Sequence, residues 1–282
     1  MTSAIVLFLD PRRHHYAFRF FAELAHRYRT LIWEMAKREI AERYVGQVLG
    51  MFWAVGHPLI SVAVYIFVFG YVFRMRAGSG TTESLSYTVY LLSGLVPWLT
   101  FTDVLNRACS SVLANAALVK QIVFPVEILP IKTVAASLVT QVVATICLLV
   151  YIVVTSGFLH PLTAVLPMVF ILQVIGLIGL AYALGAMTVF FRDLKDIVLV
   201  LTGLGLYISP VLFTETAVPR AFEAVMLLNP FSYIAWVYQD TLYYGRFAHP
   251  WAWPVFAAMQ LAFLSLGFRL FRVLRPGFGD AL

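Results

Sequence analysis

The sequence predicts an all-α integral membrane protein with six transmembrane helices, an N-terminal amphipathic interface helix, two short re-entrant helices between spans five and six, and both termini cytoplasmic. Three observations lead there. Of the 282 residues, 61% are hydrophobic and 12% charged, whereas a soluble domain carries about 25% charge. Between Thr133 and Phe191 there is no Asp, Glu, Lys or Arg. That run is long enough for two crossings of a hydrocarbon layer, each of which takes about 20 residues of helix. When the chain is threaded through six spans, sixteen of its 20 Lys and Arg fall on the side of the N-terminus, and Arg74, Arg76, Arg220 and Arg246 fall opposite. Basic residues in short loops stay cytoplasmic, so the net charge of +6 reads as topology and not as affinity for nucleic acid.

The chain divides into a cytoplasmic N-terminus with the interface helix over 1–52, a six-span domain over 53–275 and a cytoplasmic tail over 276–282. Ala4 to Leu9 is too short for the core of a signal peptide, so no cleavage is expected. Between Arg27 and Leu49, Ile32, Ala36, Ile40 and Tyr44 recur every four residues, while Glu34/Arg38, Arg38/Glu42 and Glu39/Arg43 stand one turn apart. This pattern predicts an amphipathic helix in the cytoplasmic leaflet, with Trp33 and Tyr44 at the interface. The spans are expected from about Ala54 to Phe73, Leu85 to Thr102, Thr133 to Ser156, Thr163 to Phe191, Ile197 to Thr214, and Trp253 to Phe268. The second closes at Asp103 and Arg107, and the turn-forming cluster Gly157 to Pro161 separates the third from the fourth.

Three connecting segments carry more than a turn requires. Asn115 to Pro130 reads as a short helix stopped by Pro125, whose missing N–H and ring end the preceding turn. On the cytoplasmic side it is either a docking element or a plain connector. Arg192 to Asp196 is a compact charged turn on the same side, solvated or in contact with a partner. Thr214 to Pro250 is too long for a turn and, with Val225 to Leu228 and Ile234 to Tyr238, too apolar for a wet loop. Two short helices meeting at Asn229-Pro230 and dipping into the outer leaflet reconcile these facts, provided that protein or a water-filled cavity shields them.

The chemistry that the sequence lacks narrows its function. A membrane hydrolase or transferase needs paired carboxylates, a His/Asp cluster or a metal motif near the interface, and the sequence has none. His57, His160 and His249 each stand beside a proline at a span edge, and Cys109 and Cys147 read as small hydrophobes. Ion-coupled carriers keep ionisable groups within their spans. Here the spans offer only Asp103 near a boundary, one turn from its expected partner Arg107. With no Gly-Lys dipeptide there is no P-loop, so any ATP used in transport is bound by another polypeptide.

The remaining motifs fall into a known order. Arg38, Arg43-Tyr44, Leu49-Gly50, Trp53 and Pro58-Leu59 are followed by Gly94-Leu95-Val96-Pro97-Trp98, then Asn115 with Leu118-Val119-Lys120, Phe124-Pro125 and Leu129-Pro130. Phe191-Arg192-Asp193-Leu194, Ser209-Pro210 and Asn229-Pro230-Phe231 complete the set. Over about Trp33 to Gln239 the chain resembles the membrane subunits of ABC-2 type exporters of cell-surface polysaccharide, the group of O-antigen, capsule and teichoic acid permeases.

The resemblance implies a homodimer paired with two copies of an ATPase that binds ATP and Mg, this chain itself binding no cofactor. The cargo that the resemblance implies is a lipid-linked polysaccharide crossing the cytoplasmic (inner) membrane, with O-antigen type first and capsule or teichoic acid next. The resemblance also places ATPase coupling on Arg38, Glu42 and Arg43 of the interface helix and on Asn115, Lys120, Phe124 and Pro125 of the loop after span two. Arg192 and Asp193 make a smaller second contact. Spans one and five of both protomers would line the path, bringing Tyr65, Phe69, Phe73, Tyr207 and Phe213 near it, where sugar rings can slide on aromatic faces. Arg38 and Arg43 would also meet the lipid-linked pyrophosphate at the entrance. The alternatives are a similar exporter of a small drug or lipid, disfavoured by the rich external segment, and a membrane enzyme of glycan assembly, disfavoured by the missing acid, base and metal groups.

Overall fold

In lipid every backbone N–H and C=O must find its partner within the protein, and for single segments only a helix achieves this. The computed structural model describes residues 23–24, 26–72, 87–120, 124–213 and 219–282, and every regular element among them is helical. In chain order these are α1 (Arg29–Arg43), α2 (Trp53–Ile66), α3 (Tyr87–Ser111), α4 (Ile128–Ser156), α5 (Leu166–Phe190), α6 (Leu194–Ile208), α7 (Arg220–Leu228), α8 (Pro230–Gln239) and α9 (Ala252–Leu274). A π-helical stretch, Phe67–Val72, prolongs α2, and another, Asp240–Tyr244, prolongs α8. Shorter turns occupy Ala116–Val119, Pro161–Val165 and Phe278–Ala281.

Five of these stretches are long and apolar enough to cross a membrane: Gly50–Val72, Tyr87–Ser111, Ile128–Ser156, Pro161–Phe190 and Ala252–Ala281. The sequence predicts six. The expected fifth span corresponds to α6, whose 15 residues reach only about 22 Å at 1.5 Å per residue, against a hydrocarbon core of about 30 Å. It stops where Ser209-Pro210 interrupts it, short of the expected Thr214. Other helices outrun their expected ends because their charges are paired. Thus α3 continues past Thr102 with Arg107 Nε 2.6 Å from Asp103 Oδ1. Similarly, α4 starts at Ile128 with Lys132 buried in it, and α9 passes Phe268 to Leu274 with the Arg272 guanidinium 6.0 Å from the Phe268 ring. Gly157, with φ +77°, ends α4 in the left-handed conformation that a following break requires. The expected boundaries at Phe73, Leu85 and Thr214 lie outside the described residues.

The core is built around α3 and α5. Between α5 and α9 the backbones touch: a Cβ on Gly267 would overlap the Gly179 carbonyl, and one on Gly179 would overlap the backbone of Phe263. Small residues permit this approach where lipid offers no hydrophobic drive for helix association. α4 packs on α3 and α5, while α2 and α6 lie at the edge with Ile60, Val64, Leu199, Val200 and Tyr207 among their exposed side chains.

α7 and α8 meet at Asn229-Pro230, where the Asn229 side chain accepts from Phe231 N at 3.0 Å. From Phe231 to Gln239, α8 is almost wholly buried, packed against α3 and α9. A polar triad fixes it: Gln141 Nε2 donates to Gln173 Oε1 at 2.7 Å and to Tyr238 Oη at 3.1 Å, and the Tyr238 hydroxyl donates to Gln173. Below it, the fully buried Asp240 carboxylate accepts the His249 backbone N–H at 3.1 Å and Trp253 Nε1–H at 3.0 Å, with His249 Nδ1 at 2.8 Å. This carboxylate holds the return segment to the start of α9.

Candidate functional site

Charged residues gather at one end of the bundle. There α1 lays Ile32, Met35 and the buried Ala36 toward the core and packs on α4, so its apolar face meets protein. Its outer face pairs within itself, Lys37 with Glu34 at 2.7 Å and Arg38 with Glu42 at 2.7 Å. Arg38 and Glu42 are thus exposed, as a docking role requires.

Arg43 is not. Its guanidinium turns inward, with Nη1 3.5 Å from Asp103 Oδ2 and Nη2 3.2 Å from Ser137 Oγ. Burial pulls its pKa below the ordinary arginine value, opposed chiefly by the charge of Asp103. The network runs on. Ser137 Oγ donates to Asp103 at 2.6 Å, and Glu39 lies 3.7 Å from Arg43 and 3.4 Å from Lys132 Nζ. Lys132 Nζ also donates to Asn115 Oδ1 at 3.4 Å. One chain of charges therefore ties the interface helix, α3, α4 and the loop after α3. Arg43→Met should cost about 1–3 kcal/mol, since it strips a charged donor from a partly buried acceptor. Arg38→Ala, losing an exposed i,i+4 pair, should cost about 0.5 kcal/mol or less. Thermal unfolding of both variants in detergent measures the difference.

The rest of this end follows. Asn115 Nδ2 donates to Ser111 O at 2.8 Å, anchoring the loop to α3. Lys120 is exposed, Phe124 is half-buried against the core, and the Pro125 carbonyl accepts Ile128 N–H at 3.0 Å at the start of α4. Arg192 and Asp193 are both exposed in the turn between α5 and α6.

The opposite end is aromatic. Tyr65 stacks on Phe69, Phe69 tilts against Tyr87 at 6.4 Å, Tyr87 stacks on Tyr90 at 5.9 Å, and Tyr90 meets the edge of Tyr243 at 5.4 Å. The same tyrosines complete the backbone of the interrupted segment after α6. Tyr90 Oη lies 3.1 Å from Pro210 O and 2.9 Å from Phe213 O, Tyr87 donates to Leu212 O, and Gln239 Nε2 donates to Pro210 O at 2.6 Å. Carbonyls freed where a helix breaks must be satisfied by protein. Of the residues expected along a path, Tyr65, Phe69 and the Phe213 backbone join this strip, and Tyr207 points outward, exposed. Phe73 lies outside the described residues. Sequence reading missed Tyr87 and Tyr90, although their i,i+3 spacing places both on one face. It pairs Glu39 with Arg43 and misses the distant Lys132 that Glu39 also meets, and it misses Glu127, whose partner Arg275 is far away in sequence, and Asp240 with His249 and Trp253. Among the described residues no three His, Cys, Asp or Glu side chains converge to hold a metal ion.

Residues 30–243 match the family described as ABC-2 type transporter. The chain is 26% identical over 250 residues to the O-antigen export system permease protein RfbA of Klebsiella pneumoniae, covering 88% of this chain and 93% of that one. It is 26% identical over 259 residues to RfbA of Myxococcus xanthus, covering 91% and 97%. To the polysialic acid transport protein KpsM of Escherichia coli it is 25% identical over 240 residues, covering 83% and 90%.

Proposed function

Since the chain belongs to the ABC-2 type transporter family, we propose that it is the permease subunit of an ATP-driven exporter of lipid-linked cell-surface polysaccharide, O-antigen type first. Two copies form the path, and two ATPase subunits, which bind ATP and Mg, drive it. The names of the relatives, O-antigen export and polysialic acid transport, support the cargo class.

The observation that carries this reading is the gathering of α1, the loop after α3 and the α5–α6 turn at one charged end, knitted by the Asn115–Lys132–Glu39–Arg43–Asp103 network. That end takes the cytoplasmic side of the inner membrane by the distribution of Lys and Arg, and with it both termini. Exposed Arg38, Glu42, Lys120, Arg192 and Asp193 meet the ATPase, while Arg43 passes the movement inward. α6 with the segment after it makes the fifth of six crossings, and α7 and α8 are the re-entrant pair. The apolar outer faces of α2 and α6 fit a second copy, with the aromatic strip beside the path. ATP binding draws the ATPases together, and α1 and the loop follow as levers on two permease halves.

The test is mild solubilisation of native membranes and affinity capture of this protein, with mass spectrometry of what accompanies it. A stoichiometric ATPase together with a glycolipid is expected. An ATPase with a small lipid or drug in place of glycan supports the alternative exporter, and capture of neither rejects the reading.

A further inference from the structure

Resting on that reading of the charged end, we infer that the C-terminal segment 275–282 is a positioning part of the coupling face, Arg275 and Phe278 holding the loop after α3 and the α5–α6 turn in one fixed relation. The segment continues α9 through the turn Arg275–Gly277 into the short helix Phe278–Ala281, which packs on the end of α5. Phe278 is 1% exposed, wedged edge-on against Phe271 at 5.4 Å and beside Phe190 at 6.1 Å. Phe190 is the last residue of α5 and leads directly into Phe191-Arg192-Asp193, so Phe278 braces the turn that presents Arg192 and Asp193.

Arg275 braces the loop. Its guanidinium pairs with the Glu127 carboxylate, whose side chain is 5% exposed, at the point where the loop enters α4. The Glu127 carbonyl accepts the Tyr182 hydroxyl at 2.8 Å. One residue thus fastens the end of the loop to α5 through its backbone and to the C-terminal segment through its side chain. Loop and segment face each other across a cleft of about 220 Å³, with Lys120, Phe124 and Val126 on one wall and Arg275, Phe278 and Gly279 on the other. A buried carboxylate at this junction holds its geometry only while a cation stays beside it. If the loop and the turn are the two places where the ATPase pushes, a strut joining them makes the two contacts move as one body.

The experiment uses the whole permease–ATPase complex in proteoliposomes and reads glycolipid exported per ATP hydrolysed, beside the amount of ATPase captured by each variant. Arg275→Met and Phe278→Ala should lower export per ATP about tenfold with ATPase capture retained, and Arg275→Lys should recover most of it. Where Arg275→Met fails to accumulate, Glu127→Gln with Arg275→Met removes the unpaired buried charge and restores folding, and export per ATP should stay low. Wild-type export per ATP in Arg275→Met, or its return in the double variant, overturns the strut. A wild-type complex that captures no ATPase, or exports nothing on ATP, overturns the exporter reading itself and the strut with it.

Discussion

Gly267→Ala should destabilise the protein by about 3 kcal/mol, the upper part of the range for overpacked cores, out of a total of about 5–15 kcal/mol. The cause is the contact of α5 with α9. An added Cβ at Gly267 meets the carbonyl and Cα of Gly179, and the reciprocal change meets the backbone of Phe263 and Leu264. Backbone cannot rotate aside as a side chain can, so the helices must separate along the whole crossing. Gly203 in α6, where a Cβ meets nothing within 4 Å, is the matched control. Its replacement by alanine should be neutral or stabilising by up to about 1 kcal/mol through helix propensity. Unfolding of the two purified variants in the same detergent gives the comparison, and equal midpoints would reject the role of the crossing.

Asp240→Ala should be comparably damaging, by about 3–5 kcal/mol. The carboxylate is fully buried and serves the His249 backbone, the His249 ring and the Trp253 indole. Its loss strands buried donors at about 1–3 kcal/mol each. Asp240→Asn keeps one acceptor oxygen and should recover part of the loss. Since Asp240 opens the π-helical stretch that carries Tyr243 and Tyr244 to Tyr90, the damage should centre there. Protease sensitivity between 245 and 252 should rise before the rest of the protein unfolds.

What was legible in the sequence follows the range of each signal. Hydropathy and the placement of Lys and Arg are local, and among the described residues they locate the five long apolar helices, the break at Gly157 and the paired helices at Asn229-Pro230. Helix ends were misjudged where charge was read as exit from the membrane. Asp103 marks no end, because Arg107 lies one turn on and Arg43 reaches it across the bundle. The sequence treats Arg38, Glu42 and Arg43 alike, but Arg38 and Glu42 are exposed, whereas Arg43, one residue further, is drawn inward by Asp103 and Ser137, partners sixty and more positions distant. The aromatic strip was half seen. Tyr65 and Phe69 were chosen from their span, but the tyrosines that close the broken backbone after α6 serve a need created only when Ser209-Pro210 and α3 are brought together. Periodicity carries no trace of such a need.

The union of α5 and α9 also sets the order in which the molecule becomes secure during its manufacture. α5 leaves the ribosome long before α9 exists, and at an elongation rate of about 5–20 residues per second its glycine groove faces lipid for several seconds. Once made, Asp240 waits in turn for Trp253, and α8 for one of the two helices that bury it. A helix translated more than sixty residues later thus decides whether α5 is held in its native packing.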